Sequence, residues 1–209
     1  MNDVLLLGAS GLAREVVAAA DGRIRVVGIL DDNPELQGSR IDGIDVCGTV
    51  MDAVHGSIPL LLCVGAGTGR QAIADRLAAR GVGDERFATF VDGSVRIPPG
   101  STVRAGSILL AGVVLTTAVR IGRHCVVMPN VTLTHDDTLH DFVTIAAGVS
   151  LGGAVTVGEG AYLGMNASVR QQVTVGARAT VGMGAVVLED VPAGQTWAGV
   201  PAGARLVRA

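Results

Sequence analysis

Aromatic residues are scarce: Phe87, Phe90, Phe142, Tyr162 and Trp197 are the only five among 209 residues, too few for a surface that binds nucleic acid by stacking bases. A basic surplus is missing too. With 16 basic and 19 acidic side chains the net charge is −3, so little would be gained by releasing counterions from a phosphate backbone, and no nucleic-acid partner is expected. No stretch is long and apolar enough for a bilayer span, and MNDVLLLGAS lacks the basic start of a signal peptide. A cytoplasmic protein without membrane contact is expected. Cys47, Cys63 and Cys125 are scattered without metal-type spacing and read as reduced, buried thiols. Charged residues make up only 17% while hydrophobic residues reach 49%, which excludes global disorder and calls for a packed core. What is abundant is glycine, at 30 residues. Such a chain turns often and builds its interior from aliphatic side chains.

Two sets of rules divide the chain near residue 90. Before it, apolar runs at Val4–Leu7, Arg25–Leu30 and Pro59–Val64 alternate with helical patterns at Ala13–Ala20 and Arg70–Ala79. Strands alternating with helices predict a parallel sheet, so residues 1–90 are expected to form a Rossmann-like α/β domain. The turn Gly8-Ala9-Ser10-Gly11-Leu12-Ala13 follows the first strand and opens a helix. Such a turn presents N–H groups to a phosphate. Asp31 and Asp32 end the second strand roughly 20 residues on, where an acid holds a ribose in dinucleotide folds. The fingerprint is not the full GxGxxG, and no oxidoreductase domain follows.

Residues 91–209 carry a repeat. Stepping by six from Ile97 to Val187 meets sixteen residues, every one aliphatic. An even period puts all sixteen on one side of an extended chain, so they are expected to be buried together as a solenoid. The residues two places earlier also face in, and nearly all are small or valine-sized, as a narrow interior demands. Three short faces close a triangular prism, and glycines following the aliphatics (Gly122, Gly152, Gly158) are expected to supply the corner conformation.

This register stacks His135 between Thr117 and Gly153, with Gln171 beyond, on one outward corner. A histidine thereby faces a residue without a side chain one coil away, about 5 Å off. Asp137 is the one large polar violation among inward positions, and breaks in a strict array are expected at functional sites; a corner distortion that lets it reach water is the plain alternative. His55 and His124 read as inert surface histidines. His135 and His140 have a spacing used by zinc lyases of the same prism shape, but no third histidine lies a whole number of coils away, so no metal site is expected.

THDDTLHDF, LGGAVTVGEGAYLGMNASV and VGMGAVVLEDVPAGQTWAGVPA, preceded by LLLGASGLAREVV, GILDDNPEL and VGAGTGR, resemble the sialic acid O-acetyltransferase family and the related N-acetyltransferases of nucleotide-linked 4-amino sugars. The resemblance covers nearly the whole chain. It implies a left-handed parallel β-helix that assembles as a homotrimer, with acetyl-CoA as co-substrate in a groove between two prisms. It assigns His135 as general base, Asp136 as the acid that keeps it basic, and the Gly153 N–H as donor to the acetyl carbonyl. Thr144, Met165 and Met183 fall at acetyl-CoA-binding positions; Ser10, Gly11, Leu12, Asp31, Asp32 and Gly65 fall at sugar-nucleotide-binding positions. The sequence departs from the family's usual cysteine at Asp137, glycine at His140, and histidine at Thr144 and Leu12; the first two changes are expected beside the active histidine. Arg205 and Arg208, after Trp197, are candidates to meet the CoA phosphates. The expected activity is acetyl transfer to the amino group of a nucleotide-linked sugar. The alternatives are O-acetylation of a sialic acid or similar sugar, and a non-catalytic nucleotide-sugar scaffold.

Overall fold

The computed structural model describes residues 2–204. β1 (Asn2–Leu7) leads through α1 (Gly11–Ala19) into β2 (Ile24–Leu30); a hairpin of β3 (Arg40–Ile41) and β4 (Ile44–Gly48) follows, then β5 (Leu60–Leu62) and α2 (Gly67–Ala78). The sheet order is β3-β4-β2-β1-β5, parallel except for the β3–β4 pair. The chain runs to one side of β1 first and then to the other. The loops after β1, β2 and β5 therefore meet at the carboxyl edge where direction reverses, the usual ligand crevice of open parallel sheets. Ser10 locks this edge: its Oγ accepts the Leu12 N–H at 3.1 Å, capping α1, and its hydroxyl donates to Cys63 O at 2.6 Å.

From Phe90 onward the chain coils into a prism of three parallel sheets. Strands recur at 102, 120 and 138 in one sheet, at 108, 126 and 144 in the second, and at 114, 132 and 150 in the third. The registers Arg120↔Thr138 and Val126↔Thr144 fix one coil at 18 residues. From Leu109 to Val187 the aliphatic column is buried, none above 6% exposed. Ile97, expected inside, is 41% exposed because it lies at the first, open end with no coil beneath it.

The corner conformation belongs to a different position from the one expected. Positive φ recurs at Ala118 (53°), His124 (53°), Asn130 (59°) and Asp136 (65°), three residues past each aliphatic. Gly122, Gly158 and Gly164 are small for another reason: a Cβ there would overlap the backbone of the next coil, at Asp141, Ala177 and Met183 respectively.

The two parts share a core. Ile108 and Val126 point out of the prism yet are 0% and 1% exposed, because they pack with Leu6, Leu12, Val16 and Leu61. Arg70, from α2, is fully buried at this seam. Its guanidinium donates to the carbonyls of Val64 and Gly65 on one side and of His124, Phe142 and Val143 on the other, and to Thr144 Oγ1, all at 2.8–3.0 Å.

His124 is not the surface residue expected. It is 1% exposed, with the Phe87 ring edge-on at 4.6 Å and the Phe142 ring stacked at 5.2 Å. Its Nδ1 has no hydrogen-bond partner among the described residues. Burial, helped by neighbouring Arg123, pushes its pKa down from 6.5 to about 4. A depressed value means the neutral ring's stability is present above pH 6.5 and is lost as pH falls through 4. That is about 3 kcal/mol at 1.36 kcal/mol per unit. Urea midpoints should therefore fall across this window, and His124→Phe should flatten that fall, since Phe142 occupies the same corner one coil on.

No helix among the described residues is long and apolar enough to cross a membrane.

Candidate active site

The prism has three edges, and the sequence-predicted residues divide among them. His135 and Gly153 lie on the edge between the Thr132/Ser150 sheet and the Thr138/Thr156 sheet. The His135 ring faces outward, its side chain 62% exposed, and its Nδ1 is 2.8 Å from Asp136 Oδ2. A carboxylate at this distance favours the hydrogen on Nδ1, and in the neutral ring that tautomer leaves the Nε2 lone pair free. That lone pair is at Gly153: a Cβ built there would overlap Nε2 and Cε1 of the ring. The glycine is thus needed for the imidazole to lie across the next coil. The Gly153 N–H donates to no acceptor among the described residues, leaving a bare donor beside a bare lone pair.

Asp137 does not reach water. It is 0% exposed, with Oδ1 accepting the Val155 N–H at 2.9 Å and Oδ2 the Thr134 N–H at 2.7 Å. Burial pushes its pKa up to about 6 against the pull of these donors and of His135, with Asp136 adding to the rise. His140 is not beside His135 as expected. The Thr138–Leu139 strand separates them, and His140 approaches the next edge, where its carbonyl accepts the Cys125 thiol at 3.0 Å.

Met165 and Met183 project from a second edge, 48% and 74% exposed. That edge adjoins a cavity of about 460 Å³ between the prism and the start of α1, whose walls include Gly11, Leu12, Gly65, Thr144, Tyr162 and Met165. The volume suits a small ligand. The structure thus gathers three predicted sugar-nucleotide residues and two predicted acetyl-CoA residues in one chamber, while His135 stands on another edge. Thr144 is a correction. It points out of the prism under the α/β part, is 5% exposed, and its one hydroxyl hydrogen already goes to Gly65 O at 3.0 Å, so it has none to give a co-substrate. Tyr162, on the same outward column and 39% exposed, was missed; a lone aromatic in a column otherwise made of Ile108, Val126, Thr144 and Thr180 was the available signal.

The remaining predicted residues are largely engaged. The Ser10 hydroxyl caps α1. Asp31 accepts the Ala9 N–H at 2.7 Å and the Asn33 N–H at 2.8 Å, which shapes the crevice. Asp32 accepts the Val50 N–H at 3.0 Å and pairs with Arg76 at 2.8 Å. Arg205 and Arg208 lie outside the described residues. Arg70 was also missed: it closes the VGAGTGR motif, but nothing in that stretch marks the arginine as buried.

The third edge, at Asp141–Phe142 and Glu159–Gly160, carries the α/β part. Gly67 abuts the Phe142 carbonyl, and Gln71 donates to Glu159 at 2.7 Å. In a triangular section the His135 edge is opposite the sheet on which this part rests. The crevice of a chain and its own His135 are therefore separated by the prism, roughly 15–20 Å at strand rise.

Comparison with known proteins adds the following. A family described as bacterial transferase hexapeptide (six repeats) matches residues 154–189. The acetyltransferase domain of PglB from Neisseria gonorrhoeae FA1090, solved in complex with acetyl coenzyme A, is 31% identical, with 98% of this chain and 100% of that one covered and a TM-score of 0.88. PerB from Caulobacter crescentus, solved with CoA and GDP-perosamine, is 25% identical over 98% of either chain, with a TM-score of 0.87. The UDP-3-O-acylglucosamine N-acyltransferase of Methylobacterium sp. (strain 4-46) is 30% identical over 82 residues, 39% of this chain; the match spans only 18% of that enzyme's length.

Proposed function

The chain belongs to the hexapeptide-repeat transferases, and we propose that it moves an acetyl group from acetyl-CoA to the amino group of a nucleotide-linked amino sugar, with His135 as general base. The observation that carries this reading is the His135–Gly153 pair: an imidazole whose Nδ1–H is held by Asp136 and whose Nε2 lone pair lies beside a free main-chain donor. The acetyltransferase domain of PglB, solved with acetyl coenzyme A, and PerB, solved with CoA and GDP-perosamine, support it by their similarity over nearly all of this chain.

The chemistry follows from those atoms. The amine loses a proton as it bonds to the acetyl carbon; His135 Nε2 takes it, and Asp136 steadies the imidazolium that forms. The Gly153 N–H donates to the carbonyl oxygen as charge builds there. The C–S bond breaks, and the proton on His135 is available to the departing thiolate. Co-binding of the two substrates supplies the remaining rate advantage. No covalent enzyme intermediate is needed; the prism's Cys125 is buried and its thiol pKa is pushed up to about 12, chiefly by burial.

A homotrimer completes the site in this reading. The sheet between the His135 edge and the Met165–Met183 edge shows Val114, Thr132, Ser150, Ser168 and Val186 outward. These five positions carry no charged group, so this column can meet a second copy without stranding a charge. Packing it about a threefold axis brings the His135 edge of one copy to the Met165–Met183 edge and adjoining cavity of another. Acetyl-CoA would run along that groove. The nucleotide sugar would approach from Gly11, Leu12 and Gly65, with Ser10, Asp31 and Asp32 shaping the crevice. The coil is read as left-handed, and the protein as cytoplasmic, where both substrates are made.

Free-thiol release from acetyl-CoA tests the reading. Thiol should appear in step with consumption of a GDP- or UDP-linked 4-amino sugar. Release only with hydroxyl acceptors such as a sialic acid would overturn the amine assignment, and binding without release would favour the scaffold.

A further inference from the structure

Coil-to-coil bonding in the prism follows one rule. The N–H just past each column aliphatic donates to the carbonyl 17 residues on: Thr116 to Leu133, Gly122 to Leu139, Met128 to Ile145, His140 to Val157 and Gly152 to Val169, at 2.8–3.1 Å. Between Arg104 and Arg170 the rule fails once, at Thr134, the residue before His135. The acceptor it should use, Leu151 O, instead receives the Thr134 hydroxyl at 3.1 Å, while the Thr134 N–H turns to Asp137 Oδ2 at 2.7 Å. Pairing with the next coil is correspondingly cut to Thr132↔Ser150, where the parallel case Ser150↔Ser168, Leu151↔Val169 keeps both rungs.

The other oxygen of Asp137 reaches across the break. It accepts the N–H of Val155, two residues past Gly153. One carboxylate thus grips the coil of His135 and the coil of Gly153 together. A valine would fill this inward position, as it does at 119 and 155 in the same column, without burying a carboxylate. A valine would also leave the Val155 N–H without its acceptor, so the carboxylate's two bonds to the backbone are what set this position apart.

We propose that Thr134 and Asp137 are a positioning unit that holds the His135 segment out of the regular ladder so that its Nε2 seats over Gly153. Neither touches a reacting atom. The proposal rests on the reading of His135 as the base.

The test is steady-state kinetics and thermal melting of four variants. Asp137→Val lets Thr134 N–H return to Leu151 O. It removes a buried carboxylate but leaves the Val155 N–H without its acceptor, so it should melt within a few degrees of wild type yet lose roughly 10- to 100-fold in kcat, with KM for both substrates within about twofold. Asp137→Asn, keeping size but only one acceptor oxygen, should be slow as well. Thr134→Val, which keeps the buried carboxylate, should be slow, and Thr134→Ser should restore wild-type turnover. Wild-type kcat in Asp137→Val, or a kcat that follows melting temperature through the series, would overturn the proposal. Should Asp137→Val not fold, the Thr134 pair decides by itself. Failure of the underlying reading is separate: it would show as full turnover in His135→Ala.

Discussion

Replacing His135 by alanine is expected to lower kcat by about 10²- to 10⁴-fold, the usual worth of a positioned general base, while CoA and nucleotide-sugar affinities stay near wild type. Binding should survive because the ring is exposed and, among the described residues, its hydrogen bond is the 2.8 Å one to Asp136. For the same reason the melting temperature should hardly move, as expected for a surface substitution away from core and caps. Kinetics with calorimetric titration of each ligand separates the cases. Undiminished kcat would remove His135 from the chemistry; parallel loss of binding would make it a ligand contact.

Arg70→Met should cause the largest loss of stability, about 3–5 kcal/mol by analogy with removing one side of a buried charged network. Six hydrogen bonds converge on this guanidinium, and no carboxylate is among the partners. Burial pushes its pKa down to about 10, so it remains charged at neutral pH. Its compensation is a ring of carbonyl dipoles, and methionine would leave those carbonyls dry and unpaired. A lysine has three donors on one point and cannot reproduce the planar fork, so Arg70→Lys should lose an intermediate amount. At 2–4 °C per kcal/mol for a chain of this size, melting should fall by roughly 10 °C in Arg70→Met. A shift of a degree or two would show that the seam is held by its apolar contacts alone. Val64 and Gly65, both clamped by Arg70, end the crevice loop after β5, so a surviving variant should also raise KM for the acceptor more than KM for acetyl-CoA.

Much of the architecture is legible in the residues because a coil's contacts repeat. Whether Val127, Leu133 or Leu139 faces in depends only on parity within its own short strand, and the next coil repeats the instruction. The partnership of His135 with Gly153 follows from the same counting, since stacked neighbours are a fixed number of residues apart. Ile108 and Val126, apolar at outward positions one coil apart, look no different in sequence from the exposed Val114, and only the structure shows that the α/β part covers them. Asp137 stood out for a simple reason: a carboxylate among valines has a cost that must be offset somewhere.

Other features had no local signature. Arg70 binds carbonyl oxygens, which every residue carries, so nothing in the side chains foretells the ring that receives it. Thr144 looked available until the α/β part was seen covering it, and His124 became a core residue through the same docking. The broken rung at Thr134 depends on competition between two acceptors within ångströms of each other. The sequence by itself determined a prism with an inward aliphatic column and a histidine on one edge against a glycine, because period and parity act over a few residues. Only the tertiary structure decided which edge faces the α/β part and which stands opposite, because that depends on how distant segments pack and on where their backbone dipoles converge.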